Sequence, residues 1–226
     1  KHVAKHGNYG ISSSCGSSNI LEYFGYTFSN DEKKLQEDLE KAGLCFMHAP
    51  LFHPAMKNVA PIRKNMGIKT FFNMLGPMVN PAAPQKQIIG VYDLELARRY
   101  HYIYQHLDRQ YVILHSLDGY DEISLTNDFK IMNNRGELLV SPGELGYERI
   151  KPEEITGGKD VAESAVVFKN ILEGKGTKAQ NQVVIANAAY ALSCYYPDKE
   201  ISYCLDMAAT SLKDGKALGT FKKLVG

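Results

Sequence analysis

Apolar positions alternate between helical and strand spacing along the whole chain. Residues 31–42 carry two leucines four positions apart among charged residues, which predicts an amphipathic helix. Ser29 and Glu32 have the spacing of a capping box at its start, and Gly43 provides its end. A short apolar run at residues 44–47 predicts a strand directly afterwards. Alternating helices and strands are typical of an α/β layered fold.

The same alternation continues through the rest of the sequence. Strands are predicted at 87–91 and 111–115 with a helix at 94–107 between them. The run Asn133-Asn134-Arg135-Gly136 between two short apolar segments predicts a β-hairpin over residues 129–140. Further helices are predicted at residues 54–66, 183–194, 201–212 and 218–224. Another is predicted at residues 160–173, where Asp160 and Glu163 repeat the capping-box spacing and Gly174 follows.

Composition supports an ordinary globular chain with no bulk affinity for nucleic acid. The sequence has 226 residues, is 44% hydrophobic and 23% charged, and has a formal net charge of +1. A nearly neutral chain lacks the basic excess of proteins that coat nucleic acid, so we expect no nucleic-acid partner. No apolar run reaches the length of a transmembrane helix, so we expect no membrane partner. With no linker or repeat in the pattern, residues 1–226 are predicted to form a single domain.

Four cysteines stand far apart and form no zinc-binding spacing. Reduced, mostly buried thiols are therefore the favoured interpretation, and they predict a cytoplasmic protein. The chain opens on Lys1-His2 without an initiator methionine. We therefore expect natural sequence upstream of this chain.

A candidate phosphate-binding segment lies near the start of the chain. Lys5, His6, Gly7 and Asn8 precede a run of serines and glycines at residues 10–18, which leads into an apolar helix pattern. Amide groups at the start of a helix bind phosphate oxygens, and the basic side chains add positive charge. The alternative is that the serines only cap a helix and fill a turn.

Asp121 and Glu122 form a candidate magnesium site. They follow the predicted strand at 111–115 and a turn at Gly119. Ligands of parallel α/β sheets bind beyond the carboxyl ends of strands. Mg²⁺ is commonly held by one or two carboxylates, waters and substrate phosphates. The alternative is a solvated acidic turn.

Arg63 is a candidate carboxylate-binding residue. It lies on the predicted 54–66 helix just after Pro61, which should kink that helix and redirect the following side chains. A guanidinium group can hold a carboxylate through two parallel hydrogen bonds. His53, just before this helix, could contact a flat ligand, although a lone histidine is more often structural.

Together these segments resemble the anthranilate phosphoribosyltransferase family. The matching stretches are KHGN at 5–8, SSSCGSSNILE at 12–22, HAPLFHPAMKNVAPIRKNMGIKTFFNMLGPMVNPA at 48–82, GVYD at 90–93, DGYDEIS at 118–124, ITGGKDVAESA at 155–165 and ANAAYAL at 186–192. Their order agrees throughout and covers nearly the whole chain. The long run at 48–82 is far more specific than any of the short motifs.

The resemblance implies transfer of the phosphoribosyl group of phosphoribosyl pyrophosphate to the amine of anthranilate, with release of pyrophosphate, in tryptophan biosynthesis. It implies a mostly parallel central sheet flanked by helices, of the nucleoside phosphorylase and phosphoribosyltransferase type. The family's N-terminal helical domain, which carries its dimer contact, and its first phosphate loop would lie upstream of Lys1. We therefore expect a homodimer of the full-length protein and little activity from this chain alone.

The resemblance also assigns residues. It implies that phosphoribosyl pyrophosphate is bound by Lys5, His6, Gly7, Asn8, Ser12, Ser13 and Ser17. It implies that anthranilate is bound by Asn8, His53, Arg63 and Pro77. Asp121 and Glu122 match the family's Mg²⁺-binding acidic pair. No side chain is implied to act as a nucleophile or strong base, so catalysis is expected from positioning and electrostatics.

Two alternatives remain open on the sequence. A pyrimidine nucleoside phosphorylase has the same fold and a related lysine and serine loop, but uses free phosphate and needs no metal-binding pair. A non-catalytic relative that binds nucleic acid would need a basic face, which a chain of net charge +1 fits poorly.

Overall fold

The computed structural model describes residues 1–9, 15–53 and 74–226. The α-helices described are α1 (Ser17–Tyr23), α2 (Glu32–Ala42), α3 (Ala49–Phe52), α4 (Leu94–Tyr104), α5 (Val161–Leu172), α6 (Lys178–Ser193), α7 (Ile201–Lys213) and α8 (Lys216–Val225). The strands described are β1 (Val3–Gly7), β2 (Leu44–His48), β3 (Lys86–Gly90), β4 (Gln110–Ser116), β5 (Phe129–Asn133) and β6 (Gly136–Val140). Short 3₁₀ turns occur at Gly76–Val79, Pro142–Leu145 and Pro152–Ile155.

The chain divides into two compact units. The first comprises Lys1–Ala83, Gly157–Lys169 and Ala217–Gly226, and the second comprises Pro84–Thr156 and Asn170–Lys216. The single domain over residues 1–226 stays a prediction. None of the helices in the described ranges has the length and apolarity needed to cross a membrane.

The first unit is built on a parallel pair of strands, β1 and β2. The sequence pattern did not predict β1, because Val3–Gly7 has no apolar alternation and its residues are mostly half-exposed or exposed. Its partner β2 is apolar and contains the fully buried Cys45 and Phe46. Side chains from α1, α2 and α8 complete the core around Phe46, among them Leu21, Ala42 and Leu224.

The predicted capping box of helix α2 is wrong. Asp31 is the N-cap, and its carboxylate accepts the backbone N–H of Lys33 at 3.2 Å. Ser29 instead accepts the N–H of Asp31 at 3.0 Å, one turn before the helix. Aspartate is among the best N-cap residues, so the carboxylate adjacent to the helix takes the role. The predicted end at Gly43 is confirmed, with φ of +73°.

The second unit is built on a four-stranded sheet in the order β3-β4-β5-β6. β3 and β4 are parallel, whereas β4, β5 and β6 pair in antiparallel fashion. The predicted hairpin is confirmed, with Asn133 opposite Gly136. One face of the sheet packs on α6 and α7 through buried residues that include Val112, Ile131 and Tyr190. The α/β class is confirmed, and the described sheets are partly parallel.

Candidate functional site

The carboxyl ends of β1 and β2 place the KHGN segment beside the start of the long 48–82 motif. Gly7 lies opposite His48 in the parallel register, so the two strands end at the same edge. Lys5 and Asn8 are exposed there. A Cβ atom on Gly7 would lie 2.8 Å from Cζ of Phe46, so only glycine fits without a shift of that ring.

His6 joins the KHGN segment to two parts of the 48–82 motif within the first unit. Its Nδ1 donates to the carbonyl oxygen of Gly76 at 3.0 Å, 70 positions away along the chain and next to Pro77. The ring of His53 meets that of His6 edge-on, with centroids 5.2 Å apart. The predicted residues His6, His53 and Pro77 therefore lie in one cluster, together with the exposed end of β1.

The Nε2 atoms of His6 and His53 are buried, and neither has a hydrogen-bond partner among the described residues. Burial lowers the pKa of His6, against a raising effect of the hydrogen bond to Gly76, and the nearby His53 adds to the lowering. A neutral His6 whose Nδ1 carries the hydrogen presents Nε2 as a hydrogen-bond acceptor. A neutral His6 therefore adds no second positive charge beside Lys5, and its Nε2 acceptor is buried within the cluster.

We expect the first unit to lose stability as pH falls below the ordinary histidine pKa. Burial lowers the pKa of both His6 and His48, against a raising effect of Glu22 on His48. Between the lowered native values and about 6.5, the unfolded chain binds protons that the folded chain does not. The unfolding free energy from urea titration should be lower at about pH 5.5 than at about pH 7.5. A His6→Gln/His48→Gln variant should show a flatter pH dependence, and an unchanged slope would contradict this account.

The remaining predicted residues of the first unit are only partly described. Ser17 is exposed in the first turn of α1, and the backbone N–H of the preceding Gly16 donates to Asn19 Oδ1 at 3.0 Å. Ser12, Ser13 and Arg63 lie outside the described residues, as does the predicted helix at 54–66.

The acidic pair lies in the second unit, in the loop after β4. The loop turns at Gly119, with φ of +98°, and the side chains of Asp121 and Glu122 are exposed. The buried hydroxyl of Ser116, the last residue of β4, donates to the backbone carbonyl of Glu122 at 2.7 Å. The loop backbone is thus fixed to the end of the strand while the carboxylates face outward.

Asn187 on α6 also holds this loop, and sequence reasoning missed its role. Its Oδ1 accepts the N–H of Ile123 at 2.9 Å, and its Nδ2 donates to the Ile123 carbonyl at 2.8 Å. One amide side chain therefore satisfies both backbone groups of the residue that follows the acidic pair. The available signal was this single amide within the otherwise apolar run at 183–192.

Gly90, the last residue of β3, is in close contact with the acidic loop. A Cβ atom on Gly90 would lie 1.7 Å from the carbonyl oxygen of Asp121. No side chain fits at that distance, so the loop backbone rests directly on the glycine. The GVYD motif at 90–93 therefore supports the DGYDEIS motif at 118–124.

Comparison with known proteins assigns the family. Residues 1–218 match the glycosyl transferase family, a/b domain. The anthranilate phosphoribosyltransferase of Cytophaga hutchinsonii is 50% identical over 223 residues, which cover 99% of this chain and 68% of that protein. The chain belongs to the anthranilate phosphoribosyltransferase family. The enzyme of Flavobacterium psychrophilum is 54% identical over 222 residues, covering 98% of this chain and 67% of that protein.

Solved structures of anthranilate phosphoribosyltransferases have the same fold. The enzyme of Thermus thermophilus matches with a TM-score of 0.90 at 29% identity, covering 99% of this chain and 67% of that one. The Saccharomyces cerevisiae enzyme, solved in complex with phosphoribosyl pyrophosphate and Mg, also gives 0.90, at 24% identity, with 99% and 64% covered. The chain spans about two thirds of the length of these relatives.

The family assignment confirms the predicted resemblance and the predicted enzyme class. An anthranilate phosphoribosyltransferase is a glycosyltransferase that moves a pentosyl group, and the fold agrees with the expected phosphoribosyltransferase type. Of the alternatives, the family assignment favours neither the pyrimidine nucleoside phosphorylase nor the non-catalytic relative.

The acidic pair fits the donor requirements of Mg²⁺ in an anthranilate phosphoribosyltransferase. Carboxylate oxygens are the hard ligands that this ion prefers. In the described ranges, no three His, Cys, Asp or Glu side chains gather as a cage of protein ligands. Two exposed carboxylates on a fixed backbone match an ion that is held jointly by protein and substrate phosphates.

We expect Asn187→Ala to destabilise the second unit by about 2 kcal/mol, because it leaves the backbone groups of Ile123 without their partner. Asn187→Asp keeps the acceptor for the Ile123 N–H but places a carboxylate against its carbonyl, so it should also destabilise. Urea unfolding measures the stability of each variant. A steady-state assay of the full-length protein measures Mg²⁺-dependent activity, which should fall in Asn187→Ala because the loop of the acidic pair loses its support. Asn134→Ala, which removes contacts to Tyr111 and Arg109 at the hairpin, is a control that should leave Mg²⁺-dependent activity unchanged. Equal loss of Mg²⁺-dependent activity in Asn187→Ala and Asn134→Ala would contradict the role assigned to Asn187.

Proposed function

We infer that this chain, as part of its full-length protein, transfers the phosphoribosyl group of phosphoribosyl pyrophosphate to the amine of anthranilate and releases pyrophosphate. The observation that carries this proposal is the contact of His6 with Gly76, which brings the KHGN motif against the 48–82 motif. Neither the bare fold nor the composition would select this pair of substrates. The reaction is a step of tryptophan biosynthesis.

Phosphoribosyl pyrophosphate is proposed to bind at the end of β1 and the start of α1. Lys5 supplies an exposed positive charge, and Gly7 and Asn8 lie at the strand end. The full proposed set is Lys5, His6, Gly7, Asn8, Ser12, Ser13 and Ser17. These positions combine charge, hydroxyl groups and backbone amides, which are the groups that phosphate oxygens require.

Anthranilate is proposed to bind beside the histidine cluster. His53 and Pro77 present flat or apolar surfaces for an aromatic ring, and Arg63 would hold the carboxylate through a planar pair of hydrogen bonds. Asn8 belongs to both substrates, as expected for a residue near the bond that forms. Holding two substrates in one geometry lowers the entropic part of the barrier.

Mg²⁺ is proposed to be held by Asp121 and Glu122. When bound, the ion would neutralise negative charge that develops on the departing pyrophosphate. The Lys5 ammonium group is proposed to bind phosphate oxygens of phosphoribosyl pyrophosphate. The amine of anthranilate is uncharged at neutral pH, so its attack needs orientation and no strong base.

Three further properties belong to the same proposal. The full-length protein is proposed to be a homodimer. We propose a cytoplasmic location, since the four cysteines are free thiols and three of them are buried. We also propose that the 226-residue chain alone has little or no activity.

The test is a steady-state assay of the full-length protein with anthranilate, phosphoribosyl pyrophosphate and Mg²⁺. We expect anthranilate to be consumed only when all three are present, and uridine with inorganic phosphate to give no product. Metal-independent phosphorolysis of uridine, or salt-dependent binding of single-stranded DNA without turnover, would contradict the proposal.

The isolated 226-residue chain gives a separate prediction. In the same assay its turnover should be lower than that of the full-length protein by at least about 100-fold, because a loss of pyrophosphate contacts removes transition-state stabilisation. Circular dichroism would show that the chain is folded. Robust turnover by the folded chain would contradict this prediction but not the assigned reaction.

A further inference from the structure

His48 is a buried titratable residue that the proposed function does not use. It is the last residue of β2, opposite Gly7, and only 5% of its surface is exposed. Its ring stacks on Phe28, with centroids 4.5 Å apart and planes inclined by 17°. A histidine held this tightly next to the KHGN segment calls for an explanation beyond filling space.

The contacts of His48 reach both sides of the serine-rich segment. Its Nδ1 is hydrogen-bonded to Oγ of Ser18 at 3.2 Å. The ring of Tyr9 packs edge-on against its imidazole, with centroids 4.7 Å apart. Tyr9 directly follows Asn8, and Ser18 directly follows Ser17. His48 therefore lies between the neighbours of two residues that are proposed to bind phosphoribosyl pyrophosphate.

A second link joins Tyr9 to the last turn of α1. The hydroxyl of Tyr9 donates to Oε1 of Glu22 on α1 at 3.1 Å. The backbone N–H of Tyr9 donates to Oδ1 of Asn8 at 2.8 Å, so a shift of Tyr9 also moves the Asn8 side chain. The end of β1 and helix α1 are thus connected through one small group of side chains centred on His48.

We propose that His48 is a positioning residue for phosphoribosyl pyrophosphate, which fixes Asn8 and Ser17 relative to each other through Tyr9 and Ser18. This inference rests on the proposed function. His48 acts on its neighbours and does not itself contact the substrate. A displacement of about 1 Å in a substrate-binding group can lower activity about 100-fold. Loss of the positioning contacts of His48 should therefore have a measurable effect.

The hydrogen bond between Ser18 and His48 can be tested separately from packing. The side chain of Ser18 is fully buried, so either partner left alone retains a polar atom without its bond. His48→Phe keeps a flat ring against Phe28 and Tyr9 but removes the hydrogen-bond partner of the Ser18 hydroxyl. Ser18→Ala leaves Nδ1 of His48 without this hydrogen bond, and the double variant removes both polar partners at once.

The experiment compares the full-length wild type, Ser18→Ala, His48→Phe and the double variant in the steady-state assay. Each single variant should raise the KM for phosphoribosyl pyrophosphate about tenfold, the effect of losing one buried hydrogen bond. The double variant should have a KM no higher than that of either single variant, because both act through one contact. Ser18→Ala is the smaller change and keeps the test usable if His48→Phe does not fold.

Tyr26→Phe is the matched control, since it removes a buried hydrogen bond to Asp38 in the same unit, 2.7 Å long and outside this group. It should lower stability without changing that KM. Single variants that lose stability as Tyr26→Phe does and keep the wild-type KM would overturn the proposal, and so would additive effects in the double variant. A wild type without turnover would refute the proposed function instead.

Discussion

Replacing Asp121 and Glu122 by Asn and Gln in the full-length protein is expected to lower kcat/KM at saturating Mg²⁺ by about 100- to 1,000-fold. The two side chains are exposed on a loop whose backbone is fixed by Ser116 and Asn187. The substitution should therefore change the charge of the site and leave its shape intact. Steady-state kinetics over a Mg²⁺ titration measures the effect, and the remaining activity should depend little on the metal.

A matched control removes two neighbouring acidic charges elsewhere in the second unit. Glu153 and Glu154 are exposed and adjacent, and glutamine at 154 can still accept the N–H of Lys151. The Glu153→Gln/Glu154→Gln variant should keep wild-type kinetics. If both double variants lost activity equally, or if neither did, the assignment of the metal to Asp121 and Glu122 would be wrong.

Gly90→Ala should have the second large effect, on both stability and activity. The added Cβ would meet the backbone carbonyl of Asp121, so the acidic loop must move away from β3. Overpacking of this kind destabilises a protein by about 3 kcal/mol. Because the displaced loop carries the acidic pair, activity should fall about 100-fold. Urea unfolding and steady-state assays measure the two effects.

Gly219→Ala provides the contrast for that substitution. Gly219 lies within α8, and a Cβ atom there meets nothing within 4 Å. Alanine at a compatible helical position should stabilise the protein by about 0.5–1 kcal/mol. A Gly90→Ala variant with wild-type stability and kinetics would show that the contact between β3 and the acidic loop is not needed.

Local features of the fold could be predicted because neighbouring residues determine them. The α2 end at Gly43 and the hairpin turn at Asn133 to Gly136 depend on backbone conformations set within a few residues. The start of α5 is similar, since Asp160 accepts the N–H of Glu163 at 2.8 Å as the capping spacing predicts. The N-cap of α2 was predicted wrongly, because Ser29 and Asp31 lie two positions apart and both residue types can cap a helix.

Features that depend on distant partners could not be predicted from spacing. β1 forms a strand because it pairs with β2 about forty positions later, and its own residues give no strand signal. Asn187 and Gly90 support the acidic loop from separate elements, and only the assembled sheet brings them there. The site residues themselves came from the family resemblance, which preserves such long-range information as motifs.

The most direct test of this account is whether binding of phosphoribosyl pyrophosphate needs Mg²⁺, Lys5 and the acidic pair. Phosphoribosyl pyrophosphate at about 100 times its Kd should raise the Tm of the full-length protein by about 4 °C, and only with Mg²⁺. Lys5→Ala and Asp121→Asn/Glu122→Gln should each abolish this shift, whereas Glu153→Gln/Glu154→Gln should keep it. A shift of the same size without Mg²⁺, or in either of the first two variants, would contradict the account.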